Sequence, residues 1–208
     1  ADGPVIERLH HQGIRQGLNL ERSLEFAGQV RKISKLPIIL FSYYNPLYQM
    51  GMGKLAAECQ ALGIQALLIP DMPMHEMGAL QEYNIEGIPM VAPSSSDERL
   101  ALAGDKNPSF IYCVSVRGVT GVRDLPEQEI QDYLKRVAKH SSAPRVLGFG
   151  ISRPEQLRAF KGYADGVVIG SHLAEIIEAN RSTPQRTAVE MARAVSELKR
   201  VAREGSIT

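Results

Sequence analysis

A chain of 208 residues with 44% hydrophobic and 23% charged side chains is long enough to bury its own core, and the expectation is one domain over residues 1–208. A formal net charge of +1, with Lys and Arg scattered along the chain, leaves no basic footprint for nucleic acid or an anionic membrane, so neither partner is expected. No apolar run nears the ~20 residues of a membrane span, and Cys59 and Cys113 lack the spacing of a zinc site, which reads as two free buried thiols in a reducing cytoplasm.

From Leu36 onward, short β-rich runs alternate with helical patterns. "LPIILFS" (36–42) is the first strand candidate. Leu55, Cys59 and Leu62 then recur at helical spacing and end at Gly63, which suits the left-handed residue that closes a helix. "ALLIPD" (66–71) and "IPMVAP" (88–93) follow. The serines 94–96 are explained by helix capping ahead of Asp97, since no histidine is placed to activate a nucleophile. Next come "FIYCVS" (110–115), a helix with Ile130, Leu134 and Val137 inward, and "RVLGFG" (145–150). "SRPEQLRAF" places Ser152 as a cap, Pro154 in the first turn, and Leu157 with Phe160 inward. "GVVIGS" (166–171) leads into a helix capped by Ser171, and the last helix buries Met191, Val195, Leu198 and Ala202. Most of the strand runs are apolar on both faces, as in a covered parallel sheet.

The result is a run of βα units, which either a doubly wound open sheet or a (β/α)8 barrel accepts. No GxGxxG follows the first strand, which speaks against the dinucleotide fold. Instead each of the last three strands ends in a glycine motif: "RGVTG" (117–121), "GFG" (148–150) and "IGS" (169–171). In barrels the loops after the last strands commonly hold a phosphate. The plain alternative for "IGS" is an ordinary turn, with glycine supplying a positive φ and serine only capping. Three turns aimed at one face favour the anion, bound by N–H groups such as those of Gly170, Ser171 and His172. Arg117 is the one basic residue in these motifs, so a backbone-held phosphate is implied.

The motifs "ADGPVI", "SYYNPLYQMG" (42–51), "LLIPDMP" (67–73), "VAPSSSDERL" (91–100), "YCVSVRGVTG" (112–121), "LGFGIS" (147–152) and "VVIGS" (167–171) resemble the tryptophan synthase alpha subunit family. They follow that family's order and cover the chain end to end; the plant indole-3-glycerol-phosphate lyases share them. The resemblance implies a (β/α)8 TIM barrel, with six C-terminal βα units in this chain. It implies retro-aldol cleavage of indole-3-glycerol phosphate to indole and glyceraldehyde 3-phosphate, without a cofactor or metal on this chain. It also implies a pyridoxal-phosphate beta subunit as partner in an alpha2beta2 complex.

By the same resemblance Asp2 is the catalytic aspartate, accepting the indole N–H so that C3 can be protonated before the C–C bond breaks. Protonation turns indole from a poor carbanion into a neutral leaving group. Tyr112 and Tyr43 line the indole pocket, and Thr120 sits in a lid and contacts the aspartate. Phe41, Leu68 and Val91 form apolar walls. Gly121, Phe149, Gly150, Gly170 and Ser171 hold the phosphate. Asn45, Asp71 and Pro73 match the face pressed against the beta subunit. Without the family, Asp2 is as well explained as a helix cap, the tyrosines as packing residues, Phe41, Leu68 and Val91 as core, and Asp71 as a hydrogen-bond acceptor. His10, His11, His75, His140 and His172 share no ligand spacing and are expected at the surface.

Against the family pattern, the chain begins inside the loop after the second strand, and none of its glutamates matches the acid/base glutamate that ends that strand. Six parallel strands do not close an eight-stranded barrel, so exposed strand edges are expected. Arg117 is a local departure beside the lid. Two other functions compete. A metal-dependent phosphate-sugar epimerase would need histidines at strand ends, and no strand candidate contains one. A non-catalytic phosphate-binding fragment, or a partner subunit that only binds a beta subunit, would not need Asp2 or the GVTG turn.

Overall fold

The structure is a computed structural model that describes residues 3–115, 126–148 and 154–204. The chain forms two compact units, Gly13–Met90 on the one hand and Ala1–Gln12 with Val91–Thr208 on the other. Helix α1 (Pro4–Arg15) opens the described chain and buries no residue.

In the Gly13–Met90 unit, α2 (Leu20–Ile33) starts at Asn19, whose side chain accepts the Arg22 N–H. Strands β1 (Ile38–Phe41), β2 (Ile64–Leu68) and β3 (Glu86–Gly87) form a parallel sheet in the order β1-β2-β3. Between them run α3 (Tyr44–Met50), α4 (Met52–Leu62) and a 3-10 helix, Met77–Tyr83. Gly63 closes α4 at φ 66°, ψ 28°, its N–H reaching the carbonyls of Cys59 and Gln60, the left-handed ending read from the sequence. The core gathers Leu24, Leu47, Leu55, Cys59, Leu67 and Ile69. β1 departs from the expected strand buried on both faces. Ile38 and Leu40 pack toward this core while Ile39 and Phe41 face outward, the period-two alternation of a strand covered on one side.

The second unit holds the four-stranded sheet β4-β5-β6-β7, built from Met90–Val91, Ile111–Val114, Arg145–Gly148 and Gly166–Val167. Its helices are α5 (Asp97–Gly104), α6 (Glu127–His140), α7 (Pro154–Ala159), α8 (Ser171–Ala179) and α9 (Pro184–Glu204). The run expected as one strand over 88–93 holds only β4, Met90–Val91, and β3 ends just before it at Gly87. Ile88 still donates its N–H to Leu67 at 2.8 Å, but Pro89 has no N–H to continue the ladder. Ser96 caps α5 by accepting the Arg99 N–H, and Ser95 Oγ accepts the Ala92 N–H, so the serine run does cap a helix. Ile130, Leu134 and Val137 are buried on α6 with Tyr133. On α9 Leu198 of the expected stripe is buried with Val201, Met191 and Ala202 are partly buried, and Val195 is exposed.

Both cysteines are free and buried, Cys59 on α4 and Cys113 in β5. His10, His11 and His75 are exposed, while His140 and His172 are partly buried. Among the described residues no helix is long and apolar enough to cross a membrane.

Candidate active site

The residues singled out from the sequence fall into both units. In the Val91–Thr208 unit the parallel register sets Tyr112 opposite Val146 and Val114 opposite Gly148. Tyr112 leans one step along the face of its strand, so its hydroxyl and ring edge occupy the space that a Cβ on Gly148 would need. Ser115, buried just beyond β5, donates both its N–H (3.1 Å) and its Oγ–H (3.0 Å) to the Gly148 carbonyl. The first glycine of "GFG" is therefore fixed on two sides, by a buried tyrosine over its Cα and by a serine on its carbonyl. Sequence reasoning gave Gly148 to the phosphate turn and passed over Ser115; the buried serine at a strand end was the available signal.

The second glycine turn differs from its expected local geometry. Gly170 has φ −107° and ψ −61°, so glycine is not there for a positive φ. A Cβ at Gly170 would stand 3.3 Å from Ile6 Cδ1, a tight contact that the Ile6 side chain would have to relieve by a few tenths of an ångström. Ser171 is not the cap either: it is the first residue of α8, Gly170 holds the cap position, and no side chain bonds there. The α8 ladder begins with the Ala174 N–H on the Gly170 carbonyl at 2.9 Å. The N–H groups of Ser171, His172 and Leu173 precede it, as an anion at a helix N-terminus requires. Gly3 meets the same turn, since a Cβ there would be 3.8 Å from Ser171 Oγ. Asp2, Thr120, Gly121, Phe149 and Gly150, together with Arg117 and Ser152, lie outside the described residues.

Tyr112 and Val91 are 3% and 1% exposed, so both are core positions in their unit. In the Gly13–Met90 unit Leu68 is buried at the end of β2. Phe41 and Tyr43 are 47% and 44% exposed, which corrects their default assignment to packing and core: Phe41 lies on the outer face of β1 and Tyr43 precedes α3. Asn45, Asp71 and Pro73 are all exposed. Asp71 Oδ1 accepts the Tyr44 N–H at 2.8 Å. Tyr43 offers α3 no side-chain cap, so Asp71, from the loop after β2, supplies one. Among the described residues no cluster of His, Cys, Asp and Glu could hold a metal ion.

The family model described as tryptophan synthase alpha chain matches residues 1–203. A tryptophan synthase alpha chain of Syntrophomonas wolfei is 60% identical over 184 residues, covering 88% of this chain and 71% of that protein. One from a Geobacillus strain is 40% identical over 208 residues, covering 98% and 78%. Among solved structures, one described as the structural basis of mutual activation of the tryptophan synthase a2b2 complex from Pyrococcus furiosus superimposes with a TM-score of 0.83 at 31% identity. It covers 95% of this chain and 81% of that one. Together with the parallel β–α alternation, this likeness assigns the fold to the α/β class of the (β/α)8 barrel.

Proposed function

Because the chain belongs to the tryptophan synthase alpha chain family, we propose that its residues perform that family's lyase reaction, the alpha reaction of tryptophan biosynthesis, in the following roles. Indole-3-glycerol phosphate is cleaved to indole and glyceraldehyde 3-phosphate. C3 of the indole gains a proton, the neighbouring side-chain hydroxyl loses one, and the C–C bond between them breaks as the carbonyl forms. Asp2 accepts the indole N–H and relieves the charge that C3 protonation creates on the ring. A second acid/base group must move the other proton, and the motif comparison gives that role to no glutamate of this sequence.

The phosphate is held by backbone N–H groups at Gly170 and Ser171, with Gly121, Phe149 and Gly150 completing the set. The family resemblance gives Tyr112, Tyr43, Phe41, Leu68 and Val91 to the indole pocket and gives Thr120, in the GVTG turn, a role beside Asp2. The observation that carries this reading is the match over residues 1–203. It is supported by the placement of Gly3, next in sequence to Asp2, beside Ser171. Asn45, Asp71 and Pro73 offer exposed positions for a beta subunit, the partner named for the Pyrococcus furiosus relative. The unpaired buried thiols Cys59 and Cys113 support a cytoplasmic setting. The family match over residues 1–203 supports reading the chain as one domain.

The test is Asp2→Asn in the full-length protein, assayed by indole release from indole-3-glycerol phosphate. Turnover should fall about 10²- to 10⁴-fold, the usual contribution of a positioned acid or base. Unchanged turnover would overturn the assignment.

A further inference from the structure

Among the described residues Ser115 is the only Ser, Thr, amide or charged residue that is buried, at 6% exposure. A buried hydroxyl costs free energy unless it is bonded, and this one donates to the Gly148 carbonyl at 3.0 Å. That carbonyl has a donor without it. The Ser115 N–H already reaches the same oxygen at 3.1 Å, one step past the β5·β6 register that ends with Val114 opposite Gly148. The hydroxyl therefore takes the oxygen's second lone pair. Its effect is to fix where the oxygen lies rather than to satisfy it.

Gly148 is also where the Tyr112 ring rests, because a Cβ there would fall inside the Tyr112 hydroxyl and Cζ. Glycine leaves that room, yet it is the least restrained residue a strand can contain. Tyr112 is 3% exposed, so the height and tilt of its ring follow the Cα beneath it. We infer that Ser115 is a positioning residue for the lyase reaction: by holding the Gly148 carbonyl with two donors, it fixes the floor on which the Tyr112 ring lies. The inference rests on the place proposed for Tyr112 in the indole pocket. Ser115 moves no proton itself, and its effect runs through Gly148 to Tyr112. A ring that must meet the substrate in one orientation has little tolerance, since a 1 Å misplacement can cost about 10²-fold in rate.

The experiment compares Ser115→Ala, Ser115→Thr, Tyr112→Leu and the double variant Ser115→Ala/Tyr112→Leu in the full-length protein, by steady-state indole release under conditions where each is folded. Ser115→Ala should lower kcat/KM for indole-3-glycerol phosphate about tenfold, and Ser115→Thr, which keeps the hydroxyl, should recover most of it. In the Tyr112→Leu background Ser115→Ala should cost nothing further, because the ring it holds is gone. The chain has no tryptophan, so near-ultraviolet circular dichroism reports its tyrosines. The band that Tyr112→Phe removes should weaken in Ser115→Ala and return in Ser115→Thr. If Tyr112→Leu is inactive while Ser115→Ala keeps full kcat/KM, if the two losses multiply, or if that band is unchanged in Ser115→Ala, the positioning role is wrong and the functional reading stands. If Tyr112→Leu keeps full activity, the place of Tyr112 in the pocket fails and the inference falls with it. Should Tyr112→Leu not fold, the band and the Ala and Thr variants of Ser115 decide.

Discussion

Tyr112 and Gly148 compete for one volume, and glycine resolves the competition by having no side chain. The methyl group of Gly148→Ala would enter the phenol of a residue only 3% exposed, where the ring cannot swing away without opening the core. The cost should be about 1–3 kcal/mol, the range for overpacking a filled site, read as a lower urea midpoint at unchanged slope. Ser115 holds the Gly148 carbonyl with two donors, so the backbone at the head of "GFG" has little freedom to yield. Indole release should fall in the same variant, because Phe149 and Gly150 follow directly. A variant as stable and as active as the parent would show that the Tyr112 ring has room to move.

At the scale of elements, α3 begins at Tyr43, a residue whose side chain caps nothing. Its helix carries only seven residues and anchors through Leu47, which is fully buried. Asp71 supplies the missing acceptor from 27 positions away, which makes the start of α3 depend on the loop after β2. Asp71→Ala should destabilise by about 0.5–2 kcal/mol, the ordinary cost of a lost cap, whereas Asp71→Asn should keep most of the stability because its amide oxygen can still accept. Equal urea midpoints for the two variants would show that the hydrogen bond does not hold the helix start. Of the two readings of Asp71, a partner face and a hydrogen-bond acceptor at a strand end, the structure shows the acceptor.

Over the whole molecule, each unit carries a thiol that burial holds neutral. Burial, then the charge of Glu58, pushes Cys59 up from 9.0 to about 11. Burial pushes Cys113 up from 9.0 to about 12, and the Tyr133 phenol is raised by burial as well. A raised folded-state value means that the folded chain keeps its proton where the unfolded chain has released it. These groups therefore contribute full stability below about pH 9, and that contribution is lost as pH rises through the folded values of about 11 and about 12. Urea unfolding between pH 8 and 11 should show stability falling with pH, and Cys113→Ala should reduce the slope. A flat profile would mean that the thiols ionise in place. At pH 8 neither thiol should react with iodoacetamide until the chain is unfolded.

The alternation of apolar strand runs with helical patterns established the α/β class and the parallel repeat, and the ordered motifs established the family. Both are local properties, since strand and helix periods and turn residues are written within a few neighbours. Helix ends were legible for the same reason, as Gly63 and Ser96 show. What only the tertiary structure decided involves residues far apart in sequence. Pro89 divides the expected strand 88–93 because its neighbours pair in two directions, with β2 on one side and β5 on the other. Gly148 is a glycine because Tyr112 lies over it, and Ile6 lies close against Gly170. Ser171 starts α8 without capping it, and on α9 Val201 joins the expected Leu198 in the core while Val195 stays exposed. Arg8 finds Glu178 across 170 positions. A side chain's partner across such separations is set by the packing of whole elements, which no short window of sequence contains.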